Sequence, residues 1–213
     1  MVESYSVQRK KLVEKMKKEK TIRTPEVENA FLAIPREHFF PSVDRLFAYQ
    51  DDAFPIGYGQ TISQPSTIAE MLELLEVKPG MRVLEIGSGS GYVLGLLSCL
   101  TREKNTVYGI ERITALTQKS RLALEKTHLD DVAIQVGNGR DGRKEKAPFD
   151  RIIISAASEK VPHALVEQLA ENGKLVAPLG ETQMRERVVF TKKNGALVPA
   201  EKKGTYSFVP LQA

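Results

Sequence analysis

The sequence predicts a doubly wound α/β fold with a mostly parallel sheet, and three observations carry that prediction. A β-branched, apolar run at 82–86 is followed by three glycines at alternate positions, Gly87, Gly89 and Gly91, and then by an apolar helical run. Strand, glycine turn and helix together let bare backbone approach a ligand and aim helix N–H groups at it. From there to residue 178, strand-like and helix-like segments alternate, which is the βαβ pattern of a parallel sheet. The tail changes character: 186–191 and 205–209 alternate like strands of an antiparallel edge.

The elements follow in order. Tyr5, Leu12, Val13 and Met16 give the first twenty residues a weakly amphipathic helical pattern. Thr24-Pro25-Glu26 reads as an N-cap followed by proline at the first helical position. That helix carries Val27, Ala30, Phe31 and Ile34 and stops at Pro35. Residues 36–64 are rich in Pro, Gly, Asp and aromatics with little period, so they read as a long ordered loop of the kind that carries function. Pro65 opens a helix with Ile68, Met71, Leu72 and Leu75 on one face, and Pro79-Gly80 turns into the first core strand. Core strands are expected at 82–86, 106–110, 132–136, 150–155 and 174–178, with helices at 91–100, 114–127 and 162–170. Lys192-Lys193-Asn194-Gly195 marks the turn between the two last strands.

Composition narrows the function classes. A chain of 213 residues with 41% hydrophobic and 27% charged residues fits one soluble domain with a substantial core. No apolar run approaches the ~18 residues of a membrane span, and no apolar stretch of a secretory signal stands at the N-terminus; a cytoplasmic location is expected. The single cysteine, Cys99, excludes an internal disulfide framework and reads as a small buried hydrophobe. His38, His128 and His163 lack metal-ligand spacing, so no metal is expected. Residues 1–23 hold eight basic and three acidic residues, a balance of +5; the whole chain carries +4, so residues 24–213 sum to −1. The basicity belongs to one helix, which disfavours a nucleic-acid partner for the body of the protein.

The glycines stand as G-x-G-x-G, with Tyr92 where the dinucleotide fingerprint needs its last glycine. That spacing tilts the ligand away from NAD. With Glu85 two residues before Gly87, it resembles motif I of the S-adenosylmethionine-dependent methyltransferases, whose Rossmann-like fold is the one expected here. Glu111 ends the second core strand, and a carboxylate there can accept from both ribose hydroxyls. Glu85 is expected at the methionine ammonium. Gly137-Asn138-Gly139 lets backbone pass close to a flat ring, with Asn138 at the adenine edge. Ser88 and Arg112 complete the expected cofactor-binding set of Glu85, Gly87, Ser88, Gly89, Gly91, Glu111, Arg112, Asn138 and Gly139. Each of these positions also has a plain structural reading: a strand-end carboxylate, or an ordinary turn.

The segment Gly59-Gln60-Thr61-Ile62-Ser63-Gln64-Pro65, just upstream of the glycines, makes the resemblance specific. It is similar to the protein-L-isoaspartate (D-aspartate) O-methyltransferase family. Further matches are Ala48-Tyr49-Gln50-Asp51 with Pro55-Ile56-Gly57, Ala147-Pro148-Phe149-Asp150, Ala156-Ala157 with Val161-Pro162, Pro178-Leu179-Gly180 and Phe208-Val209-Pro210-Leu211. The resemblance runs from about residue 24 to the end. It implies methyl transfer from S-adenosylmethionine, leaving S-adenosylhomocysteine, to the α-carboxylate of L-isoaspartyl residues in damaged proteins and peptides. It also implies Ser63 as the key hydroxyl, assisted by Thr61, with Ile56, Gly57, Gln60, Val209 and Pro210 at the substrate. No general base is needed, because the carboxylate is already an anion.

On this reading the chain is one methyltransferase domain: helices and substrate loop at 1–80, cofactor-binding core at 81–180, and C-terminal strands at 181–213. Three departures stand out. Asn138 replaces the family's usual aspartate, Arg143 follows Gly142 where an aromatic is usual, and Ser66 follows Pro65 where an aromatic or histidine is common. The alternatives are a methyltransferase for another substrate and a cofactor-binding member without repair activity. No Asn-Pro-Pro-Tyr-like motif follows the 150–155 strand, which argues against amino-methylation of nucleic acid.

Overall fold

The computed structural model describes residues 3–180 and 184–211. A small antiparallel hairpin, β1 (Phe54–Gly57) and β2 (Gln60–Ile62), stands apart from a seven-stranded sheet. The sheet consists of β3 (Val83–Ile86), β4 (Val107–Glu111), β5 (Ala133–Val136), β6 (Phe149–Ile154), β7 (Leu169–Leu179), β8 (Met184–Lys193) and β9 (Ala196–Ser207), in the order β5-β4-β3-β6-β7-β8-β9. The first five strands are parallel; β8 runs against β7, and β9 against β8. From β3 the chain builds outward to β4 and β5 on one side, then returns to lay β6 and β7 on the other. That reversal opens a crevice at the carboxyl ends of β3 and β6, where such sheets bind ligands.

Successive strand residues feed opposite layers. Val83, Val107, Ile134, Ile153 and Val176 join one apolar cluster; Leu84, Ile86, Ile110, Ile152 and Leu175 join the other. The first layer is thick. It takes in α1 (Tyr5–Lys18), α2 (Pro25–Ala33), α3 (Pro65–Leu75), α4 (Tyr92–Thr101) and α5 (Thr114–Lys126). Among the described residues the second carries only α6 (His163–Gln168), because two single 3-10 turns at Gly139–Asp141 and Lys144–Lys146 take the place of a crossover helix between β5 and β6.

The basic first helix is tied to the body by more than its buried stripe of Leu12, Val13 and Met16. Arg9 donates through Nε to the Tyr49 hydroxyl at 2.7 Å and through an Nη to Leu32 O at 3.0 Å. Lys15 and Lys17 reach Asp51 and Glu28 at 3.5 and 2.7 Å. Thr24 caps α2, its hydroxyl accepting from the Val27 N–H at 3.4 Å.

Three expectations are corrected. The loop at 36–64 holds two 3-10 segments, Arg36–Phe39 and Ser42–Phe47, and the hairpin, whose strands of four and three residues are too short to show a period. The helix expected to reach residue 170 stops at Gln168, because Leu169 already pairs with Phe149 in the sheet. The last strand begins at Ala196 and ends at Ser207, not at 205–209. Asn194 and Gly195 both take positive φ, +53° and +77°, as a tight hairpin turn requires, so pairing starts at once. Pro199 is tolerated because β9 is an edge strand and a register shift falls beside its partner Phe190.

Candidate active site

The glycine turn after β3 is a bare backbone loop. Gly87, Gly89 and Gly91 have φ of +77°, +50° and +84°. At Gly91 a side chain would be doubly excluded: the backbone is left-handed, and a Cβ would lie 3.0 Å from Ser120 Cβ. Two side chains fasten the loop from α5 and β4. The Ser120 hydroxyl donates to Gly89 O at 2.6 Å. The Glu111 carboxylate accepts the Gly89 N–H on one oxygen and the Ile113 N–H on the other, each at 2.9 Å. Each carboxylate oxygen keeps acceptor capacity for a further donor.

Below the loop lies Glu85, 1% exposed. Its Oε1 accepts the Ser155 hydroxyl at 2.7 Å, and its Oε2 is buried without a partner. Burial, opposed by the Ser155 hydrogen bond and helped by the nearby Glu111, pushes this carboxyl up to about 8. An unpartnered, buried carboxylate oxygen next to a glycine loop is a seat for a cationic donor.

Two cavities meet here. Gln60, Gly87, Glu111, Arg112, Gly139, Ala156 and Pro210 line the first, beside the glycine turn and the end of β4. Thr61, Ser63, Ser155 and Val209 line the second, together with Asp52, Ala53, Gln64, Thr67 and Phe208. Gln60 and Thr61, Ser155 and Ala156, and Val209 and Pro210 are neighbours in sequence that face different cavities. Neighbouring residues of the chain therefore border both cavities at three places. The C-terminal segment is held there by backbone bonds: Ala157 N–H donates to Val209 O at 2.7 Å, and Leu211 N–H to Ala157 O at 2.6 Å.

Most of the residues singled out in the sequence converge on this region, and four are engaged otherwise. Ser88 is 5% exposed, and both its N–H and its hydroxyl donate to Ile110 O, each at 3.1 Å. Its side chain points into the β4 backbone, away from the first cavity. Ile56 is buried with its Cδ1 3.5 Å from where a Gly89 Cβ would be, and it lines a separate groove with Ser90 and Leu116. Gly57, at φ +95°, forms the irregularity in the hairpin, with open space where a side chain would stand. The Asn138 amide oxygen, expected at an adenine edge, accepts the Arg140 N–H at 3.0 Å and caps the 3-10 turn; its amide N–H groups remain the donors available to a ligand. Gly139 is packed so closely that a Cβ would stand 2.4 Å from Ile86 Cγ2. The sequence reading passed over Ser155, although it follows β6 at the carboxyl end of the sheet where ligands bind. Asp52 was passed over as well, and no periodic pattern marked it.

Comparison with known proteins places the chain. The family model described as protein-L-isoaspartate(D-aspartate) O-methyltransferase (PCMT) matches residues 7–213. The chain belongs to the protein-L-isoaspartate (D-aspartate) O-methyltransferase family. The match begins inside α1, so the family likeness reaches further towards the N-terminus than residue 24. A protein-L-isoaspartate O-methyltransferase of Dictyoglomus turgidum is 42% identical over 208 residues, covering 98% of this chain and 92% of that protein. One from Hyperthermus butylicus is 40% identical over 211 residues, covering 95% and 88%. Among solved structures, a Plasmodium falciparum protein assigned to protein-L-isoaspartate O-methyltransferase superposes with a TM-score of 0.84 at 29% identity, over 95% of this chain and 97% of that one. That protein was solved in complex with S-adenosyl-L-homocysteine.

The features of this family member fit a cofactor of that kind. The unpartnered Glu85 Oε2 suits an ammonium, the Glu111 carboxylate suits hydroxyl donors, and the glycine turn presents bare backbone. Among the described residues no group of His, Cys, Asp and Glu could hold a metal ion, and no helix is long and apolar enough to cross a membrane.

Proposed function

We propose that the chain repairs damaged proteins by moving a methyl group from S-adenosylmethionine to the α-carboxylate of L-isoaspartyl residues. The observation that carries this reading is the pair of adjoining cavities, with Ser63 and Thr61 lining one and Glu111 lining the other. The chain acts as a single methyltransferase domain, and its substrates are isoaspartyl-containing proteins and peptides of the cytoplasm.

In this reading Glu85 receives the cofactor's ammonium, Glu111 its ribose hydroxyls, and the segment around Asn138 and Gly139 its adenine. When bound, S-adenosylmethionine supplies a methyl group made electrophilic by its sulfonium. The Ser63 hydroxyl donates to one oxygen of the substrate carboxylate and leaves the other free to attack; Thr61 stands beside it as a second donor. No side chain has to remove a proton, since a carboxylate is ionised at neutral pH. The protein's contribution is alignment and exclusion of water, which can supply several kcal/mol. The methyl ester then closes spontaneously to a succinimide as the following backbone nitrogen displaces methanol, and water opens the ring to ordinary aspartate or back to isoaspartate.

Transfer of tritiated methyl groups to an isoaspartyl peptide, with its aspartyl twin as control, tests the proposal. Label in the first and none in the second is expected. Equal label, or none in either, would overturn it.

A further inference from the structure

Arg36 is fully buried, which is unusual for so strongly hydrated a group. Its guanidinium lies between two aromatic rings, 4.9 Å from the centre of Tyr92 and 5.3 Å from that of Phe40. Nε donates to Ala48 O at 2.9 Å, and one Nη donates to Ser63 O at 2.7 Å. The other Nη has no protein partner. One side chain therefore joins three separate stretches: the end of the second 3-10 segment, the backbone of Ser63, and Tyr92, the first residue of α4 directly after Gly91.

A charged donor is a poor choice for filling such a space. Removing a cation from water costs several kcal/mol, and replacing a buried charge with an apolar side chain of similar volume often stabilises a protein. Burial lowers the guanidinium's pKa to about 10, which leaves it charged at neutral pH. What the charge provides is a short, directional bond to one carbonyl, stronger than a neutral donor would make. Fixing the carbonyl of Ser63 fixes its peptide plane, and with it the direction of the Cα–Cβ bond that carries the hydroxyl. On the other side, the same guanidinium is stacked on the residue that closes the glycine turn.

We propose that Arg36 is a positioning residue: it sets the Ser63 hydroxyl relative to the glycine loop, so that the two cavities are aligned for transfer. This rests on the reading of Ser63 as the donor to the substrate carboxylate. Arg36 itself is sealed from both cavities and touches neither reactant.

The test is a double-mutant cycle between Arg36→Lys and Ser63→Ala, with kcat, KM for the isoaspartyl peptide, S-adenosylhomocysteine affinity and thermal midpoint measured for each. A lysine keeps the charge but can reach only one of the two carbonyls. In the parent background Arg36→Lys should lower kcat about 10–100-fold, the scale of a misplacement near 1 Å. KM and S-adenosylhomocysteine affinity should stay within about threefold, and Arg36→Gln should lower kcat further. In the Ser63→Ala background the same Lys substitution should change kcat less than about twofold, while any loss in thermal midpoint persists. An equal fall in kcat in both backgrounds would overturn the role of Arg36 and leave that of Ser63 standing. Full activity in Ser63→Ala alone would instead remove Ser63 from the chemistry and the proposal with it. If neither the Lys nor the Gln variant folds, Arg36 is a folding clamp and the positioning role is wrong.

Discussion

The Ser155 hydroxyl donates to Glu85 Oε1 at 2.7 Å, while Ser155 also lines the cavity that contains Ser63. One small side chain thus touches the buried carboxylate on one side and borders the space for the second reactant on the other. Ser155→Ala removes the donor that stabilises the ionised carboxyl. S-adenosylhomocysteine affinity at pH 8 should fall by about 1.5–3 kcal/mol, the usual scale for a hydrogen bond to a charged group. Titration calorimetry would show it; unchanged affinity would mean that the carboxylate needs no help from Ser155.

Glu85 also makes binding pH-dependent. With its carboxyl pushed up to about 8 by burial, the empty protein holds it mostly neutral at pH 7. An ammonium seated on it favours the ionised form, so binding should release a proton and affinity should rise with pH towards about 8. Calorimetry at pH 7 in two buffers of different ionisation enthalpy would measure that proton. In the empty protein the sign for stability is the reverse of the common carboxylate case. The unfolded chain titrates near the ordinary carboxylate value of 4.5 and the folded one near 8, so the folded state binds more protons in between. Glu85 therefore destabilises progressively as pH rises through that window. Glu85→Gln should raise the thermal midpoint at pH 8, abolish the released proton and weaken S-adenosylhomocysteine binding. A midpoint lowered at pH 8 would contradict this account.

Glu111 does two jobs, and its removal should show both. Its carboxylate receives the Gly89 and Ile113 N–H groups, so Glu111→Ala frees the glycine loop as well as removing the expected ribose acceptor. Cofactor affinity should drop by about 3 kcal/mol or more, above the 1.5–3 kcal/mol of hydrogen bonds to a charged group alone. Glu111→Gln, which keeps one acceptor oxygen, should recover part of it. Comparable affinities for the Ala variant and the parent protein would exclude Glu111 from the site.

Ser63→Ala should lower turnover on an isoaspartyl peptide by roughly 10²–10³-fold, as for one preorganised donor in a closed site. S-adenosylhomocysteine affinity should barely change, because Ser63 faces the second cavity and not the first. Loss of both together would show that the segment closes over the cofactor.

Gly139→Ala tests packing at the adenine side. The added methyl would meet Ile86 Cγ2 at 2.4 Å in the middle of the sheet, and β3 cannot yield easily. A loss of about 1–3 kcal/mol in urea unfolding is expected for such overpacking, together with weaker cofactor binding. Unchanged stability would show that the turn after β5 shifts freely.

The core of this fold was legible because it rests on repetition: five apolar strands with helices between most of them, and glycines where backbone must turn. What escaped was short or directional. Hairpin strands of three and four residues carry too few positions for a period, and β9 is disguised by Pro199 and its lysines. The inward turn of Ser88 had a signal that went unread. Gly109 interrupts an apolar strand, and a Cβ there would stand 2.7 Å from Ser88 Oγ, so the glycine marks a side chain laid across it. Arg36 had none: nothing in Pro35-Arg36-Glu37 separates a buried arginine from a solvated one, since its partners lie 12 and 27 residues away in sequence.

The sharing of neighbouring residues between the two cavities has a practical meaning for inhibition. Adjacent Cα atoms are only ~3.8 Å apart, so Gln60 and Thr61, or Val209 and Pro210, hand one cavity over to the other within a single peptide unit. A bisubstrate compound that joins an adenosine-like part to a carboxylate-bearing part would occupy both cavities at once and should bind more tightly than either part alone, with Ser63→Ala and Glu111→Ala each weakening it.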